Sequence, residues 1–588
     1  MHLTILASDL DGTLAEDGHV SPATWDALRA AKAAHIILIL VTGRTLASFT
    51  PEGPFAELFD AIIAEDGAVI YFPRQDVVLL PFGRLPATLL ERIESLHLPL
   101  EHGMALIATH VPHDEPILTA LRACGGGATV EYNRGAVMVL PLGATKGSGL
   151  AYALRELGLS DRNMVACGDA ENDRSLLALA ELAVAVDNAT PALKDQADLV
   201  LPEPAAAGMR GLIRDMIAGR IAPRKVRPEQ QLSLGWRPDQ TPFLIDAWQL
   251  IDSVWGIAGD SSSGKSWLGG LIAEEIMLQG YQTVIIDPEG DYRSLAALPH
   301  TMLVGGRDTQ LQRVGDVITL CEYARCNLII DLSWMPVAMR NVFTERLLRA
   351  LLDLRARCGR PHWILIDEVQ QSYADWTAPF TGTVLDLMSG GGVAVVSYRP
   401  GQVAPAIIEA VQVWALTRTK NSEDLTRFDA LLSANPCWAE IRSHLPTLAR
   451  GHARLITPLD KSDSCQINDI VFRTGTRRVP HIRHLHKYVA VPLPSDKWFV
   501  FRDPSGATCG TAANLSEFRT AISRVSLSSL AYHLDRGDFA LWLTDILHDT
   551  ELSRQIMKIA HRRPTGDALR AELHETVAAR YDDLSAML

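Results

Sequence analysis

Apolar residues in the first third of the chain fall into short runs separated by stretches of helical spacing, which predicts strands alternating with helices. Leu3–Ser8 and Ile36–Val41 read as buried strands with a helix over Pro22–Ala34 between them. Ala61–Ile63 and Met164–Cys167 are further strands, and a helix covers about Gly147–Leu157. Such alternation argues for a parallel sheet covered on both faces, with functional side chains at the carboxyl ends of the strands. The polar residues gather there: Asp9 and Asp11, then Thr42, Gly43 and Arg44, then Asp169. Glu65–Val69 reads as core. Between about 80 and 140 the order is helix, strand, helix, strand, strand, predicted at Pro86–Ser95, Ala105–Thr109, Glu115–Cys124, Thr129–Tyr132 and Ala136–Leu140.

The pattern restarts after Ile221–Pro228, a Pro-flanked basic stretch without apolar period that reads as linker. Val254–Ala258, Trp363–Ile366 and Val393–Val396 are strands, and Trp267–Gln279 is helical. Near 470–495 the composition shifts again, to a strand at Trp498–Phe501 and amphipathic helices at Ser516–Ile522, Leu527–Leu534 and Phe539–Leu547. The expected organisation is an α/β unit over 1–220 with a small α+β cap at 80–140, a linker over 221–240, a second α/β unit over 241–470, and a mostly helical unit over 471–588.

The 588 residues are 47% hydrophobic and 21% charged, enough apolar surface for several cores, which excludes disordered and fibrous classes. Eight Cys without dense spacing are no disulfide scaffold and suit a reducing compartment. The longest apolar run, Ile36–Val41, is far short of the ~20 residues of a membrane helix, so a cytoplasmic protein without a membrane partner is expected. The net charge of -14 is unevenly placed: residues 1–222 carry 16 Lys and Arg against 28 Asp and Glu, 223–480 carry 26 against 28, and 481–588 carry 13 against 13. A generally basic nucleic-acid surface is excluded, and nucleic acid as a partner is not indicated by charge.

The acidic first unit holds the first candidate chemistry. A carboxylate such as Asp9 can attack phosphorus and split one hard displacement into two easier ones. Asp11, two residues on, can protonate the leaving oxygen and later activate water. Two meeting anions require a cation, and Asp169 and Asp173, on one face if Asp169 opens a helix, would hold Mg²⁺ with Asp9 and the Asp11 carbonyl. Thr42 and Lys146 would bind phosphoryl oxygens, with Gly43 in the same loop and Asn172 orienting Lys146 or the phosphate. Asp9-Leu-Asp11-Gly12-Thr13, Val41-Thr42-Gly43-Arg44, Lys146-Gly147 and Gly168-Asp169-Ala-Glu-Asn172-Asp173 together resemble, in order, the motifs of the haloacid dehalogenase phosphatase superfamily. The insertion resembles the small caps of its Cof-like class IIB branch, which covers the phosphate and selects a small phosphorylated substrate. His110, His113 and Arg134 are the polar cap residues that could meet it, though solvated loop positions explain them as well.

The second unit carries Gly259-Asp260-Ser261-Ser262-Ser263-Gly264-Lys265-Ser266 between a strand and a helix, the context in which backbone N–H groups cradle the phosphates of ATP. Lys265 would reach the terminal phosphates and Ser266 a Mg²⁺ ion; Asp367 would hold that ion through water and Glu368 would polarise the attacking water. With Asp287-Pro-Glu-Gly-Asp291-Tyr292 and Ser397-Tyr398-Arg399-Pro400, residues 245–425 resemble the HerA, VirB4 and FtsK-like P-loop ATPases. That resemblance implies an ATPase that often forms a homo-oligomeric ring and moves DNA or protein. Tyr398 stands where such proteins usually have Gln, and Arg399 and Arg418 are the candidates for an arginine finger. His481-Ile-Arg483-His484-Leu-His486 reads as a polar strand edge rather than a metal site. Cys321 and Cys326 read as buried thiols.

Overall fold

The computed structural model describes residues 3–49, 53–133, 135–220, 225–306, 313–372, 378–457, 469–479, 493, 497–547 and 549–586. Arg134 and the His481–His486 segment lie outside the described residues. The chain forms two compact units, one of His2–Glu229 with Arg355–Gly359, the other of Gln230–Leu354 with Arg360–Leu588. Among the described residues no helix is long and apolar enough to cross a membrane.

The first unit is built on strands β1 (Ile5–Ser8), β2 (Ile37–Val41), β3 (Ala61–Ala64), β4 (Val69–Phe72) and β5 (Val77–Leu79), with the cap strands β6 (Glu101–His102), β7 (Ile107–His110), β8 (Ala128–Asn133) and β9 (Ala136–Pro141), then β10 (Met164–Gly168), β11 (Leu182–Ala185) and β12 (Leu199–Val200). Eight of them form one sheet in the order β12-β11-β10-β1-β2-β3-β4-β5. It is parallel from β12 to β3, and β4 and β5 run antiparallel. β1 is buried along its whole length, as expected of a strand covered on both faces. Two local signals place the first site's elements. Ser21 caps the helix Pro22–Ala33 by accepting from the Thr24 N–H. Thr145 and Ser148 form a reciprocal capping box that opens the helix Lys146–Glu156, fixing Lys146 at its first position.

The cap is a separate antiparallel sheet, β6-β7-β9-β8, with helices Ala87–Glu94 and Asp114–Ala123. It owns an apolar cluster that includes Leu89, Ile93, Ile107, Ile117 and Val139. The short strand β6 adds to the sequence-based order. Core and cap meet at Glu65, fully buried, whose carboxylate accepts from the backbone N–H groups of Met104 (2.8 Å), Ala105 (2.8 Å) and Leu106 (3.2 Å). The chain turns sharply there: Glu65 and Asp66 both have φ of 53°, and a Cβ on Gly67 would stand 1.9 Å from the Thr145 carbonyl oxygen. Glu65→Ala is expected to destabilise the first unit by about 3 kcal/mol, because three backbone donors, two of them on buried residues, lose a charged acceptor. Chemical denaturation measures this, and Glu65→Gln, which keeps one carbonyl oxygen, should cost less.

The second unit contains β13 (Gln231–Trp236), β14 (Pro242–Asp246), β15 (Val254–Ala258), β16 (Thr283–Asp287), β17 (Thr301–Gly305), β18 (Asn327–Asp331), β19 (Trp363–Ile366), β20 (Val393–Ser397), β21 (Val413–Leu416), β22 (His452–Ile456) and β23 (Ile470–Thr474). They form one sheet in the order β14-β13-β23-β22-β21-β15-β20-β19-β16-β18-β17. The run from β21 to β17 is parallel, and β22, β23, β13 and β14 extend it antiparallel. This corrects two boundaries. The linker assigned to 221–240 ends earlier, because Gln231–Trp236 is a strand of this sheet. The sheet also runs past 470, because β23 pairs with both β13 and β22. Within the basic stretch Arg227 is anchored rather than free: its guanidinium donates to both Asp198 carboxylate oxygens and to the Ala180 carbonyl.

At the C-terminus a hairpin of β24 (Phe499–Arg502) and β25 (Thr508–Ala512) packs with helices Leu515–Arg524, Leu527–Asp535, Asp538–Asp545, Thr550–Arg562 and Gly566–Ala586. The last two helices were not foreseen. Phe499, Phe501, Phe518, Phe539 and Trp542 form its aromatic centre, with ring centroids such as those of Phe518 and Trp542 4.9 Å apart. Among the described residues the seven cysteines are free thiols; Cys321 is buried and Cys326 partly so.

Candidate active sites

In the first unit the ends of β1, β2 and β10 and the start of the 146–156 helix converge. Lys146, 2% exposed, donates from Nζ to Asp9 Oδ1 (2.7 Å) and to Asp173 Oδ1 (2.6 Å). Burial alone would depress the Lys146 ammonium, but Asp173, then Asp9 and Asp66, hold it above the usual lysine range. Burial pushes Asp9 up, against the attraction of Lys146. Thr42 is buried at the end of β2, and its Oγ1 accepts from the Arg44 N–H (3.2 Å).

Asp9, Asp169 and Asp173 bring one carboxylate oxygen each within 4.8 Å of one another, all three residues buried. This hard-oxygen set, packed so closely, suits a small divalent cation such as Mg²⁺. Two expectations about the set change. Asp169 does not open a helix: a 3-10 turn at Glu171–Asp173 leads into the helix Arg174–Leu179, and Asp173 folds back so that Oδ2 accepts from the Asp169 N–H (2.9 Å) and the Ala170 N–H (3.0 Å). Gly168 is required there, since a Cβ would come within 2.6 Å of the Asp173 side chain. Asn172, expected to orient Lys146 or the phosphate, makes no hydrogen bond to Lys146; its Nδ2 donates to Asp66 Oδ1 (3.0 Å). Asp66, read from sequence as plain core, thereby holds Asn172 from a fully buried position. The signal was a pair of acids following an apolar strand.

The Asp11 side chain lies outside that cluster. Arg44 holds it with two hydrogen bonds, Nε to Oδ2 (2.8 Å) and Nη2 to Oδ1 (2.5 Å), and also donates to the Gly18 carbonyl (3.2 Å). Above these groups lies a cavity of about 490 Å³, lined from the core by Asp9, Asp11, Thr42 and Lys146 and from the cap by His110 and Asn133. Gly43 and Arg44 also line it, and His113, at the start of the cap helix 114–123, does not.

In the second unit the loop after β15 is shaped by Gly259 (φ 151°), Ser262 (φ 63°) and Gly264 (φ 108°), and the helix Lys265–Leu278 follows directly. Lys265 and Ser266 are buried, and Lys265 Nζ donates to the Asp260 carbonyl (2.9 Å). Ser263 shares a hydrogen bond with Thr417 (2.6 Å), and Asp260 Oδ2 accepts from the Lys420 N–H (3.0 Å), so β21 supports the loop. Ser261 is exposed on the same turn. Asp367, 1% exposed at the end of β19, has two carboxylate oxygens without hydrogen-bond partners, a donor set that fits a cation reached directly or through water.

Glu368 has φ of 48° and accepts from Gln370 Nε2 (2.5 Å), while Gln370 Oε1 accepts from Ser397 Oγ (2.6 Å). Gln370 was missed: it joins the ends of β19 and β20 one residue before Tyr398. Tyr398 itself lies with its ring centroid 5.9 Å from Lys265 Nζ. Arg399 is paired with Asp424 (3.3 Å) within the chain, and Arg418 lends its carbonyl to the Asp260 N–H (2.8 Å). Asp287 accepts from four successive backbone N–H groups, Glu289 to Tyr292, which explains the Asp-Pro-Glu-Gly-Asp-Tyr turn as structure.

Parts of both units are similar to known proteins. Residues 6–80 and 106–210 match the haloacid dehalogenase-like hydrolase family, and residues 233–349 match the central domain of helicase HerA. Phosphoglycolate phosphatase 2 of Saccharolobus solfataricus is 28% identical over 223 residues, 37% of this chain and 94% of that protein. Phosphoglycolate phosphatase of Methanothermobacter thermautotrophicus is 26% identical over 213 residues, 36% of this chain and 96% of that one. Among solved structures, a haloacid dehalogenase-like hydrolase from Bacteroides thetaiotaomicron aligns with 21% identity and a TM-score of 0.33, covering 36% of this chain and 99% of its own. The chain therefore joins a haloacid dehalogenase-like hydrolase domain to a HerA-like domain.

Proposed function

We propose that the first unit is a Mg²⁺-dependent phosphomonoesterase acting on a small phosphorylated acid, and that the second binds and hydrolyses ATP. The observation that carries the first part is the buried Asp9–Lys146–Asp173 array at the floor of a capped cavity. An Asp9 carboxylate oxygen attacks phosphorus, the bond from phosphorus to the ester oxygen breaks, and Asp11, once released from Arg44 and protonated, gives that oxygen a proton. Asp11 then takes a proton from water, which attacks phosphorus; phosphate leaves and Asp9 is restored. Thr42 and Lys146 bind the phosphoryl oxygens and offset their charge. Asp9, Asp169 and Asp173 would hold the cation, which would offset the negative charge gathered at the site. Support for a small acid comes from the two phosphoglycolate phosphatases, matched over nearly their whole length, and from the modest cavity.

A panel of phosphoglycolate, sugar phosphates and nucleotides tests this reading. Hydrolysis of at least one ester is expected with Mg²⁺, falling roughly 10³-fold after chelation. No release of phosphate from any ester with Mg²⁺ present would sink it.

A second reading, an ATP-driven ring that handles nucleic acid and uses the first unit to trim phosphorylated ends, is favoured by the HerA match at 233–349. Stimulation of ATP hydrolysis by DNA separates it from the first.

A further inference from the structure

Asp66 is fully buried, and only one of its carboxylate oxygens is satisfied by an ordinary donor. Oδ1 accepts from Asn172, whereas Oδ2, also buried, has no such partner. A further partner of Asp66 comes from the cap. Glu131 on β8 is half-buried and stands within hydrogen-bond reach of Asp66. Two carboxylates do not meet in so enclosed a place with both ionised; one takes a proton and becomes the missing donor. The location matters, because Asp66 lies behind the phosphate loop, where a Cβ on Gly43 would be 3.7 Å from Asp66 Oδ1.

We propose that Glu131 is a positioning residue for the hydrolase site, seating the cap edge on the core through one carboxyl-to-carboxylate hydrogen bond to Asp66. This deepens the phosphomonoesterase reading and rests on it for its kinetic readout. The other groups around the pair are known. Lys146 and Asp173 act on it from the core, Met138 stands opposite Glu131 across the β8–β9 pair, and β8 packs on the Glu171–Asp173 turn, which offers Asn172 while Glu171 is exposed. Burial, then Asp66, push Glu131 from 4.5 up to about 7. An acid raised in the seated state favours seating at low pH. That contribution is fully present below about 4.5, declines as pH rises, and is lost above about 7.

The full-length protein and its Glu131→Gln and Glu131→Ala variants test the seat in two ways. Infrared pH-difference spectra should show a carboxylic-acid C=O signal titrating near pH 7 in wild type and missing in Glu131→Gln; the same signal in both overturns the proposal. With p-nitrophenyl phosphate as probe, Glu131→Ala should raise KM about fivefold relative to wild type at pH 6 and little at pH 8, with kcat less affected. Glu131→Gln, whose amide donates at every pH, should stay within about twofold at pH 6. Equal KM-against-pH profiles for wild type and Glu131→Ala also overturn it. The infrared arm needs no turnover, so it still decides the matter if the ester reading itself fails.

Discussion

In the Asp9→Asn variant, phosphate-ester hydrolysis is expected to fall roughly 10⁴-fold or more while ATP hydrolysis stays at the wild-type rate. The amide is nearly isosteric with the carboxylate, so the change removes the proposed nucleophile with little change in shape. Lys146 keeps its bond to Asp173 (2.6 Å), which leaves the buried ammonium paired and the fold supported. The effect is therefore chemical, and an unchanged thermal transition beside a lost ester activity is the result to look for. Residual hydrolysis within tenfold of wild type would remove Asp9 from the nucleophile's place.

The complementary variant is Lys265→Ala, for which ATP hydrolysis should drop about 10²–10³-fold with ester hydrolysis retained. Lys265 is 3% exposed at the first turn of its helix and, on the reading proposed above, would be the cation the loop presents to a terminal phosphate. Its truncation also deletes the hydrogen bond to the Asp260 carbonyl, so nucleotide binding by fluorescence should weaken together with turnover. Loss of both activities in either variant would show that the two sites are coupled; independent losses would show two separate catalysts.

Strand ends were the legible part of both sites. Asp9, Thr42, Asp367 and the loop from Gly259 to Ser266 each follow an apolar run, and a parallel sheet leaves little choice about where the next polar residue goes. What sequence did not disclose were groups that act across distance. Arg44 on Asp11, Asn172 on Asp66 and Gln370 between Glu368 and Ser397 are tertiary hydrogen bonds, and no local spacing encodes them. The helix expected from Asp169 was lost to the Asp173 side chain, which outcompetes helical bonding by accepting from two backbone N–H groups. The linker was overextended because Gln231–Trp236, half polar and with a bulge near Gly235, looks unlike the apolar central strands of the same sheet. The final two helices, Thr550–Arg562 and Gly566–Ala586, carry no motif that marks them in the sequence.

The cap, with its own apolar cluster and its clasp at Glu65, has a consequence for how such a protein diversifies. A part that folds around its own core and enters the chain between one strand and one helix can be exchanged without disturbing the chemistry beneath it. A grafted cap would have to match the host at its seams, first with three consecutive backbone N–H groups, where Met104 to Leu106 now stand, turned toward the Glu65 carboxylate.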